Sequence, residues 1–149
     1  MPLEYEICGL WEGHRKDNSC SVKSYFYNDY IYFFTKSSEY KESIYVYNMI
    51  SENINLIYTS EGQATLRGEP EMFTLDEYFI FAGVDGIFYS NLDGKNLKNI
   101  KKNDASGNTA GKIKIINGEL YYSFGKFYKL DEVVNYKYDF IKNESIKVD

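Results

Sequence analysis

The chain repeats itself, and the repeat limits what it can become. Ser43–Ile57 reads "SIYVYNMISENINLI", and Gly86–Ile100 reads "GIFYSNLDGKNLKNI". Laid together without a gap, Ile44 meets Ile87, Tyr45 meets Phe88, Asn48 meets Asn91 and Met49 meets Leu92. Further along, Asn53 meets Asn96, Ile54 meets Leu97 and Ile57 meets Ile100, all at an offset of 43 residues. A second element precedes each copy: "NDYIYFF" from Asn28 parallels "DEYFIFA" from Asp76, and "NGELYYS" from Asn117 continues the series. A unit of about 40 to 45 residues holding four short strands has the spacing of propeller blades. We therefore expect an all-β fold, a propeller-like array of about three four-stranded antiparallel blades. They span roughly residues 21–58, 69–101 and 111–141. In the third blade, "KIKII", "ELYYSF", "KFYKL" and "YKYDFI" supply the four strands. The connectors "TSEGQATLRG" and "KNDASGNTA" are small and polar, and the leading "LEYEICGLW" reads as an extra strand.

Composition agrees with strands. Of 149 residues, 16 are Tyr and 10 are Phe. Aromatic and β-branched side chains fit a pleated surface better than a helix. No stretch has the apolar spacing of an amphipathic helix, and Asn-Asp, Asp-Gly and Asn-Gly dipeptides punctuate the apolar runs at tight-turn spacing. Alternation places Tyr30, Tyr32 and Phe34 on one face of a strand and Ile31 and Phe33 on the other. Most tyrosines then serve packing, with the hydroxyl left near a polar partner. The length suits a single domain over residues 1–149.

The run "NLDGKN" invites comparison with a calcium loop. An EF-hand loop needs an oxygen ligand at its first position and an acid at its twelfth. With Asp93 and Gly94 at the fifth and sixth places, those positions hold Tyr89 and Ile100. Asp93-Gly94 is therefore expected to turn the chain between two blade strands, with no metal bound.

"GIFYSNLDGKNLKNI" resembles the blades of bacterial propellers similar to TolB and to the YWTD propellers of low-density-lipoprotein receptors. Their pattern has the form I-Y-Y-S-N-x-D-G-x-N-x-x-x-I. Ile87, Tyr89, Ser90, Asn91, Asp93, Gly94, Asn96 and Ile100 match it. The first blade keeps Ile44, Tyr45, Tyr47, Asn48 and Asn53 but lacks the Asp-Gly, and the third keeps Asp131 among aromatic neighbours. The resemblance covers about residues 21–141. It implies a propeller, and a role in protein interaction or ligand binding rather than catalysis. It carries no site residues with it.

Three blades do not close a ring, since propellers have about four to eight. Exposed blade ends favour association. We expect completion by a second copy of the chain or by a further part of it, the alternative being a small sandwich or a three-blade arc with atypical ends. Two further function classes stand beside a protein-binding scaffold. One is a carbohydrate or cell-surface glycan binder using exposed aromatics, and the other is an enzyme. The enzyme reading lacks support, because the chain has no GxSxG elbow, no P-loop and one histidine. No cofactor is expected.

The formal net charge of −5 gives no footprint for nucleic acid. Lys95, Lys98, Lys101, Lys102, Lys112 and Lys114 read as a solvated face. No run reaches the length of a membrane span. The start, "MPLEYEICGLWEGHRKD", lacks the basic and apolar segments of a secretory signal. The chain as given reads as cytoplasmic, and as extracellular if it belongs to a longer secreted protein. Cys8 and Cys20 fit neither CxxC nor zinc spacing; they read as two free thiols, or as one bridge where their Cα atoms come within about 7 Å. Candidate binding residues are Arg67 in a connector, Trp11 as an aromatic anchor, and His14 and Arg15 beside it. Arg67 and Arg15 are the only arginines, and the guanidinium fork suits carboxylate or phosphate.

Overall fold

The computed structural model describes residues 22–37, 39–63 and 70–149. They form three four-stranded antiparallel sheets. The first holds β1 (Val22–Tyr27), β2 (Tyr30–Lys36), β3 (Glu42–Asn48) and β4 (Ile54–Thr59). The second holds β5 (Glu71–Leu75), β6 (Tyr78–Gly83), β7 (Gly86–Asn91) and β8 (Lys98–Lys102). The third holds β9 (Thr109–Ile116), β10 (Glu119–Gly125), β11 (Val134–Asp139) and β12 (Glu144–Val148). In each sheet the strands lie in chain order. The result is an all-β, propeller-like array that remains open.

The hairpin turns recur as the repeat implies. Asn28, Asp76 and Asn117 each open the turn between the first two strands of a sheet, with φ of 51°, 52° and 52°. Asn and Asp tolerate the left-handed region better than other side chains, which explains their place here. The turns after the third strands of the first and third sheets are also built on one position. Asn48 accepts the amides of Ile50 and Ser51 through Oδ1, and Asp139 accepts those of Ile141 and Lys142 in the same way.

The third sheet corrects two readings. "KFYKL" is not a strand. It lies in a turn that leads into a 3-10 turn at Leu130–Glu132, with Tyr128 and Leu130 facing solvent. With Tyr128 and Leu130 left in solvent, the run gains little burial by staying extended. "YKYDFI" contributes to β11, the third strand, and the fourth is the polar "ESIKV" of β12. The third-sheet counterpart of Asn48 and Asn91 is accordingly Asp139, and Asp131 lies in the 3-10 turn.

Two aromatic cores separate the sheets. Tyr32, Phe34, Ile44 and Val46 of the first sheet pack with Phe79, Phe81 and Phe88 of the second. Ile80, Ala82, Ile87 and Tyr89, on the opposite face of the second sheet, pack with Leu120, Tyr122 and Tyr138 of the third. The middle sheet is therefore buried on both faces, and Phe79, Ile80, Phe81 and Ala82 form an unbroken buried run. At the first junction Tyr32 stacks flat on Phe79, with centroids 3.9 Å apart. At the second, Tyr78 stacks on Phe140 at 4.7 Å and Tyr89 meets the same ring edge-on at 5.0 Å.

Tyrosine hydroxyls tie each sheet to a turn of the next. Tyr32 donates to the Leu92 carbonyl at 2.7 Å, and Tyr89 donates to Asn143 Oδ1 at 2.6 Å. Burial pushes the Tyr32 hydroxyl well up, with the nearby Tyr30 and Tyr25 adding to it, so it stays a donor at any physiological pH.

The "NLDGKN" run is a turn between β7 and β8. The Gly94 amide donates to the Asn91 carbonyl, and Asp93 accepts the Lys95 amide at 3.0 Å. Gly94 has φ of +86°, and a Cβ there would lie 2.8 Å from Ile57 Cγ1 and 3.0 Å from Val46 Cγ1. The glycine thus lets the turn lie against the first sheet. Among the described residues no three His, Cys, Asp or Glu side chains gather into a metal-sized cluster.

Candidate functional site

Two of the places where the first and second sheets meet lie at opposite ends of the strands. At the connector end, Asp85 in the β6–β7 turn holds three donors. The Tyr58 hydroxyl reaches Oδ2 at 2.6 Å, the Glu61 amide reaches Oδ2 at 2.7 Å, and the Gly62 amide reaches Oδ1 at 2.9 Å. Beside it, buried Glu42 accepts the Val84 amide through Oε1 at 2.5 Å. Burial alone would raise the Asp85 carboxyl, but the Tyr58 hydroxyl, the two amides and the Lys41 charge outweigh it and hold it below its ordinary 3.8. The Tyr58 hydroxyl is pushed up by burial and by its bond to Asp85.

This is a latch on the connector, and its pH dependence follows. The folded value lies below the unfolded one, so unfolded chains bind more protons as the medium turns acidic. The stability contributed is fully present above the unfolded value and is lost as pH falls through the folded one. Asp85→Asn keeps one acceptor and loses the charge, and is expected to cost about 1–2 kcal/mol at neutral pH. Its melting temperature should fall less steeply than that of the wild type below pH 4 or so. Parallel slopes in a melting series from neutral pH to pH 3 or so would mean that Asp85 does not carry the acid sensitivity.

At the other end lies an open cleft of 330 Å³, lined by Tyr30, Glu77, Tyr78, Asn91, Leu92 and Asp93. Tyr30 and Tyr78 occupy the same repeat position, two residues after the positive-φ turn residues Asn28 and Asp76. Tyr30 pairs across its sheet with Asn48, and Tyr78 with Asn91. The β7–β8 turn lies between them, fastened by Tyr32 to its Leu92 carbonyl and by Gly94 to the first sheet.

The cleft walls are therefore set by packed strands and a tied turn. Burial raises the Tyr78 hydroxyl, and the neighbouring Glu77 charge adds to it. One face of the Tyr78 ring is taken by Phe140, and the residue lines the cleft. Lys95 approaches Asp93 at 4.0 Å from the exposed side. The cleft offers two phenols, two carboxylates and a carboxamide. Such a set accepts and donates hydrogen bonds, and it favours neutral polyhydroxyl or cationic groups over anions.

Trp11, His14, Arg15 and Arg67 all lie outside the described residues, as do Cys8 and Cys20. None of the residues lining the cleft was among the candidates from sequence. The available signal was the repeat itself, which sets Tyr30 and Tyr78 at one position; the turn placed between them is a tertiary fact. Within the lysine group, Lys101 lies over the Phe124 ring at 4.3 Å and Lys112 over Phe127 at 4.8 Å. Among the described residues no helix is long and apolar enough to cross a membrane. Compared with known proteins, the chain matches no family model and no curated protein.

Proposed function

We propose that the chain is a non-catalytic binding module that takes its ligand in the cleft between the first two sheets. The observation that carries this reading is the cleft itself, where two repeat-equivalent tyrosines meet Glu77, Asn91 and Asp93 on elements held by packing. Rigid walls reduce the entropy lost on binding. The resemblance of Gly86–Ile100 to YWTD and TolB-like blades supports an interaction role over catalysis. A protein partner would present a neutral or basic side chain to this cleft. A glycan is the second reading, favoured by aromatic edges set beside carboxylate and carboxamide groups.

The two readings separate by experiment. A glycan array and a pull-down are run with the wild type, Tyr30→Ala and Glu77→Gln. Tyr30 is the half-buried first residue of β2 and Glu77 an exposed turn residue, so the variants should fold. Loss of a captured ligand by about tenfold in each variant, near 1.4 kcal/mol, supports the cleft. Capture that survives both substitutions would place binding elsewhere.

A further inference from the structure

The three first hairpins share their opening residue but not the one after it. Asn28 is followed by Asp29, Asp76 by Glu77, and Asn117 by Gly118. Asn117-Gly118 is the chain's only Asn-Gly pair. It forms the whole connection between Ile116 and Glu119, which pair across β9 and β10. Both residues are exposed, with φ of 52° and 74°. A Cβ built on Gly118 would meet nothing within 4 Å, so the space around its amide is open to solvent. Among the described residues, neither that amide nor the Asn117 carboxamide takes part in a hydrogen bond.

Other asparagines are tied. The Asn48 carboxamide accepts two amides, that of Asn143 accepts the Tyr89 hydroxyl, and that of Asn135 accepts Ser123. Those of Asn99 and Asn103 donate to the carbonyls of Ile87 and Val84. The two Asp-Gly pairs are held as well, Asp85 by Tyr58, Glu61 and Gly62, and Asp93 by the Lys95 amide.

We propose that Asn117 is a site of spontaneous deamidation in the folded protein. The Gly118 backbone nitrogen gives its proton to water or hydroxide and attacks Asn117 Cγ. The new N–Cγ bond closes a succinimide ring. The Cγ–Nδ2 bond breaks, and the departing nitrogen takes up a proton and leaves as ammonia. Water, the one co-reactant, then opens the ring at either carbonyl, which leaves aspartate or isoaspartate. Nothing is oxidised or reduced. Glycine hinders the attack least, because it places no side chain beside the nitrogen. A hairpin tip also opens locally without unfolding the sheet, which lets the carboxamide swing toward that nitrogen.

The two products differ in consequence. Aspartate fits, since Asp76 holds the equivalent place in the second sheet at the same φ of 52°. Isoaspartate threads the main chain through Cβ and lengthens a two-residue connection, which loosens the β9–β10 hairpin. Either one adds a negative charge to a chain of net charge −5.

Tryptic mapping tests this on the full chain, held folded at mildly alkaline pH and body temperature. Peptide Ile115–Lys126 contains Asn117 as its only asparagine, and Ser24–Lys36 contains only Asn28. The first should gain the mass of a carboxylate replacing a carboxamide and split into two species on chromatography, while the second stays unchanged. Gly118→Ala should slow the conversion severalfold. If that variant fails to fold by circular dichroism, Asp29→Gly replaces it, and Asn28 should then convert as Asn117 does. Asn117→Asp should melt with the wild type. An unchanged Ile115–Lys126 peptide overturns the proposal, and so does equal conversion at Asn28 and Asn117 in the wild type. Conversion at the wild-type rate in Gly118→Ala, or an unchanged Asn28 in Asp29→Gly, overturns the part given to glycine. An Asn117→Asp variant that melts well below the wild type overturns the tolerance of this turn for aspartate.

Discussion

Phe79→Ala is expected to lower the unfolding free energy by about 3–5 kcal/mol, the range for emptying an aromatic site in a packed core. Phe79 is fully buried, stacks on Tyr32 at 3.9 Å and lies 5.7 Å from the Phe81 ring. Its removal leaves a void between two sheets whose backbones are fixed by their own ladders, so collapse is only partial. The melting temperature should fall by roughly 10 °C or more. The Tyr32 hydroxyl also depends on that stack for its aim at the Leu92 carbonyl, so the β7–β8 turn should loosen with it. Phe26→Ala is the control, because Phe26 is 66% exposed and should cost well under about 1 kcal/mol. Equal losses in the two variants, measured by urea unfolding, would refute the account of the junction.

Gly86→Ala should be nearly as damaging for a different reason. Gly86 has φ of +137°, and a Cβ there would stand 2.1 Å from the Lys101 carbonyl oxygen and 2.9 Å from Lys102 Cα. The obstacle is backbone, so no side chain can swing away. Gly86 pairs with Lys102 at the mouth of the β7–β8 ladder, beside the register shift between Ile87 and Phe88. Relief requires the two strands to part and the preceding Asp85 to move, which breaks its bonds to Tyr58, Glu61 and Gly62. Strain and overpacking together are expected to cost about 3–5 kcal/mol. A urea midpoint within experimental error of the wild type would show that this backbone tolerates a side chain at residue 86.

Both predictions rest on features of unequal visibility in the sequence. The four-strand period was readable because the same pattern recurs, down to the Asn or Asp that opens each first hairpin. The opposed faces of β2 were readable from alternation in "YIYFF". The last strand was not. "ESIKV" is an exposed edge with one large apolar residue, Ile146, and burial leaves no periodic mark on such a strand. "KFYKL" misled in the opposite sense, since its Tyr128 and Leu130 face solvent. The cleft lay beyond reach because its walls belong to two sheets and a turn. Periodicity assigns a side chain to a face, but it does not say which neighbouring turn will stand opposite. The Asp85 latch was hidden likewise, since its donors at residues 58, 61 and 62 lie more than twenty positions upstream.

The strand order has a consequence for how the molecule is made. Among the described residues every ladder joins strands that follow one another in the chain, so none of these strands waits for a partner encoded far downstream. Such local pairing favours rapid folding. During synthesis the first sheet is complete once Thr59 has cleared the ribosome. Its inner face, with Tyr32, Phe34 and Val46, then remains uncovered until Phe79, Phe81 and Phe88 emerge. For that interval the nascent chain displays an aromatic sheet to its surroundings, and the hazard ends only when the next sheet folds down over it.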